Sequence, residues 1–311
     1  MSNILIIKHG SLGDIIQANG AIKDIKTKFS QDKVLLLTTP PYAEFMSSCP
    51  YIDGVLIDKR FPRWNLFYLH KLKKMLERFS FTKVFDLQNS SRTKFYKRFF
   101  FKKDIFWSDS GAFLSSSDAL KEKNLPVLDR MELQLNRSGI SDVYFTKKPD
   151  LSWAVKNIKN ITNQNFDGEY ILIFPFCSPK LVKKKWPYYK DLIRILEREY
   201  GSKYNIAIAP GPNEINEAKE YKTNVILNKG RPLNILELVS IIKHSKYVIS
   251  NDTGPAHICT HLNKEGIVLF GSHTTPEKVS IETDNFKAMS VKDLNELTVS
   301  DVYEKIKENL N

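Results

Sequence analysis

Short apolar runs alternate with amphipathic stretches along this chain, and the alternation occurs twice. In the first half, ILII (residues 4–7), KVLLLTT, GVLID and KVFDLQ are separated by stretches of helical character. Ile15, Ile16, Ala18, Ile22 and Ile25 recur near helical spacing in the first of these stretches. The rhythm weakens between about Asp104 and Leu151 and restarts at EYILIFPF (residues 169–176). YNIAIAP, NVILN, YVIS and GIVLFG follow, again with amphipathic stretches between them. Strand and helix in strict alternation specify a parallel sheet covered by helices. The expected fold class is α/β, with two Rossmann-like, doubly wound domains facing across a cleft.

A chain of 311 residues is long for one core and comfortable for two. The boundary is expected in KKPDLSWAVKNIKN, which gives domains of residues 1–155 and 156–311. The last helix is expected over Val299–Leu310 with Ser300 as its N-cap, packing back on the first domain. The N-terminus reads as a first strand, not a signal peptide. No apolar run approaches the roughly 18 residues of a membrane span. Cys49, Cys177 and Cys259 are scattered without metal spacing, which suits a reducing cytoplasm.

In folds of this class, ligands sit on the loops that leave the carboxyl ends of strands. After the first strand comes KHGSLGDIIQ, where Gly10 and Gly13 permit a tight turn and a helix start follows. This is neither G-x-G-x-x-G nor a P-loop. Asp14 is a candidate reactive carboxylate, or simply an acid complementing the helix dipole. After EYILIFPF, the loop CSPKLVKKKWP carries Lys180, Lys183, Lys184 and Lys185. These residues suit a diphosphate, or form a solvated basic face. Glu214 begins the next helix, where it is placed for ribose hydroxyls or acts as an ordinary helix-start acid. After YVIS comes SNDTGPAHICTHL. Its Thr253 and Gly254 amides suit phosphate oxygens, and Asp252 suits sugar hydroxyls. An aspartic-protease reading of the Asp-Thr-Gly triplet fails, because that chemistry needs two such segments in an all-β fold. His257 and His261 lack the glutamate and third ligand of a zinc site.

Taken in order, these motifs resemble glycosyltransferase family 9, the bacterial heptosyltransferases of lipopolysaccharide core assembly. ILIIKHGSLGDII resembles the family's N-terminal strand, loop and Gly-Asp. VFDLQNSSRTK resembles its Asp-x-Gln segment with a following basic residue, here Arg92. KKWP resembles its Lys-x-Trp-Pro, and SNDTGPAHICTHLNKEGIVLFGSHTTPEK its Asp-Ser/Thr-Gly-x-x-His signature and the loop beyond. The resemblance implies a GT-B fold and inverting transfer from an ADP-heptose-like donor, with no metal or other cofactor. It makes Asp14 the general base and sets Lys184 against the diphosphate. It also implies donor contacts from Ser178, Glu214, Asp252, Thr253, Gly254, His257, Thr274 and Thr275. The implied acceptor side comprises Ser11, Gly13, Asp86, Gln88 and Arg92. The chain departs from the family at Phe176, where a small Gly-rich loop is usual, and at GSHTTPEK, where Gly-Pro-Thr-Asp-Pro is usual.

The formal net charge is +12, and between Lys59 and Lys103 there are 14 basic residues against 2 acidic ones. The same window holds FPRWNLFYLHKLKKMLERF and KFYKRFFFKK. Basic residues interleaved with aromatics suit an anionic membrane surface. The resemblance gives this window a use: a lipid-linked, anionic saccharide acceptor at the inner face of the cytoplasmic membrane, with the enzyme cytoplasmic and peripheral. A nucleic-acid partner is not expected, since charge and aromatics alone support one and the loop motifs would be left unexplained. A GT-B epimerase or hydrolase using the donor domain without an acceptor is the nearer alternative.

Overall fold

The computed structural model describes residues 1–111, 114–148 and 150–310. The chain divides into two compact units, Met1–Trp153 and Ala154–Asn311. The first is built on five parallel strands: β1 (Asn3–Ile7), β2 (Lys33–Thr38), β3 (Gly54–Ile57), β4 (Phe81–Asp86) and β5 (Phe106–Ser108). Their order is β3-β2-β1-β4-β5. The second unit holds six: β6 (Tyr170–Phe174), β7 (Asn205–Ile208), β8 (Asn224–Val225), β9 (Tyr247–Asn251), β10 (Gly266–Phe270) and β11 (Phe286–Ser290). They are parallel, in the order β11-β10-β9-β6-β7-β8. Both sheets are doubly wound and Rossmann-like.

The central strands are buried along their length because helices cover both faces: every residue of β6, β9 and β10 is buried. The helices supply matching apolar stripes. In Tyr189–Tyr200 the buried residues are Tyr189, Leu192, Ile193 and Leu196, the spacing of one helix face. The C-terminal helix Val299–Leu310 buries Val302, Ile306 and Leu310 in the core of the second unit. Its apolar face is accounted for within that core. Its cap is Thr298 rather than Ser300. Thr298 Oγ1 accepts from the Asp301 amide at 3.2 Å, and Asp301 Oδ2 accepts from the Thr298 hydroxyl at 2.6 Å.

Strand order reverses between β1 and β4 in one sheet and between β9 and β6 in the other. Crevices form at such points beyond the carboxyl ends of the strands. The loops after β1, β4, β6 and β9 carry most of the candidate residues, so the topology gathers them at two places.

Candidate active site

At the β1/β4 reversal, the Lys8 ammonium donates to the Leu87 carbonyl at 3.0 Å, and the His9 amide donates to Gln88 Oε1 at 2.8 Å. The two loops are thereby tied together. Gly10 has φ +89°, and a Cβ there would meet the Tyr42 ring at 2.3 Å, so the turn admits only glycine. The chain then enters the helix Leu12–Gln17 with Ser11 as N-cap. The Ser11 amide and hydroxyl both donate to Asp14 Oδ2 at 2.9 Å. Lys8 Nζ stands 3.7 Å from Asp14 Oδ1. The lysine side chain is 6% exposed and the carboxylate 43%. Burial holds the Lys8 ammonium below its usual pKa, with Asp14 and Asp86 opposing the shift. Asp14 is thus an oriented carboxylate open to solvent.

The expected acceptor residues divide. Gly13 is buried in the first helical turn and serves the backbone. Asp86 is 1% exposed, and its Oδ1 accepts from the Gln88 and Asn89 amides at 3.1 and 2.9 Å. Burial pushes its carboxyl up, against hydrogen bonds from Thr93, Asn89 and Gln88. Asp86 shapes the β4 loop. Arg92 is drawn into a buried cluster around Asp58, which follows β3 and which sequence reasoning missed. Asp58 receives Tyr96 OH at 2.6 Å, Tyr68 OH at 2.5 Å and Arg92 Nε at 3.3 Å, and His9 Nε2 lies 3.2 Å away. Burial would raise this carboxyl, but the adjacent His9 imidazole and the hydrogen bonds from Tyr68 and Tyr96 hold it far below the ordinary range. A further concave pocket beside β4 and β5 is lined by Lys94, Lys123 and Arg130 together with the carboxylates Asp86, Asp109 and Glu122. It too escaped the sequence, because its cations come from separate segments.

At the β9/β6 reversal, the loop after β6 forms a 3-10 turn, Pro179–Lys184, and the helix starts later than Trp-Pro suggests, at Tyr189. Trp186 is fully buried, with Nε1 donating to the Leu297 carbonyl at 2.9 Å. Asn251, the last residue of β9, accepts from the Trp186 amide at 3.2 Å and from Tyr189 OH at 3.1 Å. These bonds fix Lys184 beside the β9 loop. Lys184 Nζ donates to Asp252 Oδ2 at 2.6 Å and approaches the Asp252 carbonyl at 3.3 Å. His273 Nε2 reaches the same carboxylate oxygen at 2.8 Å, and His257 Nε2 stands 3.9 Å from Oδ1. Asp252 is 3% exposed and Lys184 19%. Burial works to raise the Asp252 carboxyl, but the hydrogen bond and charge of Lys184, then His273 and His257, outweigh it and hold the pKa below the usual value.

Thr253 is the N-cap of the helix Gly254–His261. The first-turn amides of such a helix lack intrahelical acceptors and favour an anion. Glu214 keeps Oε2 on the Gly211 amide at 2.7 Å, and burial raises its carboxyl. Ser178 is exposed and Thr274 half-buried, and Thr275 Oγ1 accepts from the Lys278 amide at 3.3 Å. Lys180 and Lys183 are exposed, while Lys185 pairs with Glu217. His261 is buried and burial pushes its imidazole down to about 3, the behaviour of a neutral core histidine. Among the described residues, no group of three or more His, Cys, Asp or Glu side chains is placed to hold a metal ion.

Two Rossmann-like units, each with its candidate loops at the strand-order reversal, define a GT-B-like architecture. The sequence profile of glycosyltransferase family 9 (heptosyltransferase) matches residues 69–306. The chain belongs to that family and is a glycosyltransferase, which decides against the epimerase or hydrolase reading. Escherichia coli heptosyltransferase WaaC with ADP aligns at 18% identity over 99% of each chain, with a TM-score of 0.75. E. coli ADP-heptose lps heptosyltransferase II aligns at 14% identity over 100% of this chain and 98% of that one, TM-score 0.74. UDP-GlcNAc 2-epimerase from Methanocaldococcus jannaschii aligns at 14% identity over 100% and 93%, TM-score 0.60. No curated protein matches the chain by sequence.

Proposed function

We propose that this glycosyltransferase moves a heptose-like sugar, with inversion, from an ADP-sugar to a hydroxyl of an anionic, lipid-linked saccharide of the lipopolysaccharide-core type. The observation that carries the donor half is the Lys184–Asp252 pair at the β9/β6 reversal, 2.6 Å apart and adjoining the Thr253–Gly254 helix start. Lys184 and the first-turn amides receive the diphosphate, Asp252 the sugar hydroxyls, and Glu214 the nucleoside. His257, Ser178, Thr274 and Thr275 complete the donor side. In the reaction the acceptor oxygen bonds to the anomeric carbon as the bond to the diphosphate breaks, and ADP leaves. Asp14 takes the acceptor proton. The sugar gains oxocarbenium character and the diphosphate gains negative charge. Lysine and helix-start amides stabilise that charge.

On the acceptor side, Ser11 orients Asp14, while Gln88 and Asp86 hold the loop beside it. Lys94, Lys123 and Arg130 line a nearby pocket with Asp86, Asp109 and Glu122, a mixed-charge surface for the polar groups of the acceptor, and Arg92 borders it from the Asp58 cluster. The membrane reading narrows to one stretch. Tyr96 is fully buried, and Phe95, Phe100 and Phe101 pack on the core, so of the aromatics in KFYKRFFFKK only Phe99 is exposed, beside exposed Lys94, Lys97, Arg98, Lys102 and Lys103. By contrast Trp64 is 80% exposed, Leu66 73% and Phe67 70%, next to exposed Arg60, Arg63 and Lys71. That apolar tip in a basic frame suits the anionic inner leaflet. No described helix is long and apolar enough to cross a membrane. A thermal-shift panel of ADP, UDP, GDP, NAD and ADP-heptose tests the donor assignment. The expected result is stabilisation by ADP and ADP-heptose above the rest, and a preference for UDP contradicts it.

A further inference from the structure

His273 lies on the loop after β10, in the stretch where the chain departs from the family motif. Its ring stacks on Phe270, with centroids 5.8 Å apart and planes 9° from parallel. The side chain is 7% exposed, and Nδ1 has no hydrogen-bond partner. Among the described residues its one polar contact is Nε2 to Asp252 Oδ2 at 2.8 Å, and since a carboxylate only accepts, Nε2 carries a proton. Lys184 holds the same oxygen at 2.6 Å.

Lys184 faces two competing demands. It neutralises Asp252, and the donor reading above also assigns it to the diphosphate. When it turns to the diphosphate, a carboxylate that is 3% exposed loses its nearest cation. Solvent cannot take the cation's place, and a buried charge stripped of its partner is strongly unfavourable. His257, at 3.9 Å from Oδ1, is beyond hydrogen-bond reach. We propose that His273 is a positioning residue for donor binding: it keeps Asp252 hydrogen-bonded and in place while Lys184 engages the diphosphate. Sugar and diphosphate are then gripped together. The proposal rests on the donor reading and adds a residue which that reading did not contain.

The test is calorimetric titration of ADP and of ADP-heptose into the full chain. The panel is wild type, His273→Leu, His273→Gln, Asp252→Asn and the double variant His273→Leu/Asp252→Asn, each checked by thermal melting. His273→Leu weakens ADP binding by about tenfold or more, because Lys184 cannot leave Asp252 without stranding it. His273→Gln, whose amide nitrogen reaches the position of Nε2, recovers most of the loss. In the Asp252→Asn background His273→Leu changes affinity by less than about threefold, since the neutral amide has no charge to strand. A loss of equal size in both backgrounds marks a mere packing role and overturns the proposal. So does ADP binding by His273→Leu equal to that of wild type. Wild type that binds neither ADP nor ADP-heptose overturns the donor reading itself.

Discussion

Each unit sets a lysine against an aspartate at its strand-order reversal, and the two pairs are built in opposite senses. In the first unit the lysine is interior and the carboxylate open: Lys8 is 6% exposed and Asp14 43%, 3.7 Å apart. In the second the carboxylate is interior and the lysine more open: Asp252 is 3% exposed and Lys184 19%, 2.6 Å apart. The more exposed member of each pair is the one more open to a charged or ionising group of the substrate, and the buried member helps set its charge and place. A proton acceptor is therefore on offer in the first unit and a cation in the second. Inverting transfer needs those two groups, one at the acceptor hydroxyl and one at the leaving diphosphate.

The sharpest way to break this contrast is at the open carboxylate. Asp14→Asn is expected to lower kcat by roughly 10²–10⁴-fold, the usual contribution of a positioned base. Steady-state transfer from ADP-heptose measures it, and wild-type turnover removes Asp14 from the role. The interior of the first unit is probed next. Asp58→Ala leaves Arg92, Tyr68 and Tyr96 without their common acceptor, and removing one partner of a buried ion pair costs about 3–5 kcal/mol. Urea unfolding reads the loss, and an unchanged midpoint means that the cluster contributes nothing.

The pH response comes next, and it probes the two buried carboxylates that their partners hold ionised. Asp58 and Asp252 both titrate below the ordinary value when folded. Their stabilisation is complete above the unfolded-state value of about 4 and is lost as pH falls through their lowered folded values. Thermal melts of wild type should fall steeply only in that acid window, and Asp58→Asn should flatten part of the slope. An equal slope in the variant contradicts the assignment. The smallest effect is expected at the surface. Replacing Trp64 and Phe67 with serine should weaken flotation on anionic vesicles without changing the melting temperature. Each Lys or Arg removed nearby, at Arg60, Arg63 or Lys71, should cost on the order of 1 kcal/mol at low salt. Binding that ignores salt and both aromatics removes this surface from the account.

Much of the fold was legible because buried parallel strands write themselves as unbroken apolar runs, as in Ile4–Ile7 and Gly266–Phe270. β5 and β11 were not legible. They are edge strands, FWS and FKAMS, too short or too polar to show a pattern. The loops carrying Asp14, Lys184 and Asp252 were legible because each interrupts the rhythm straight after a strand. The Asp58 cluster was not, since Asp58 and Arg92 are 34 positions apart and meet only through strand order. Tyr96 and its neighbours looked like surface aromatics because basic residues alternate with core ones on the helix Ser91–Phe99. His273 lay within a quoted motif, yet only the folded loop turns it onto Asp252.

The division of labour between the two units is tested most directly by titrating ADP-heptose into Asp14→Asn and Lys184→Ala side by side. The account predicts that Asp14→Asn binds the donor within about twofold of wild type, while Lys184→Ala, losing a charge-assisted bond, binds it about tenfold or more weakly. Equal affinities in the two variants, or a larger loss at Asp14, would contradict it.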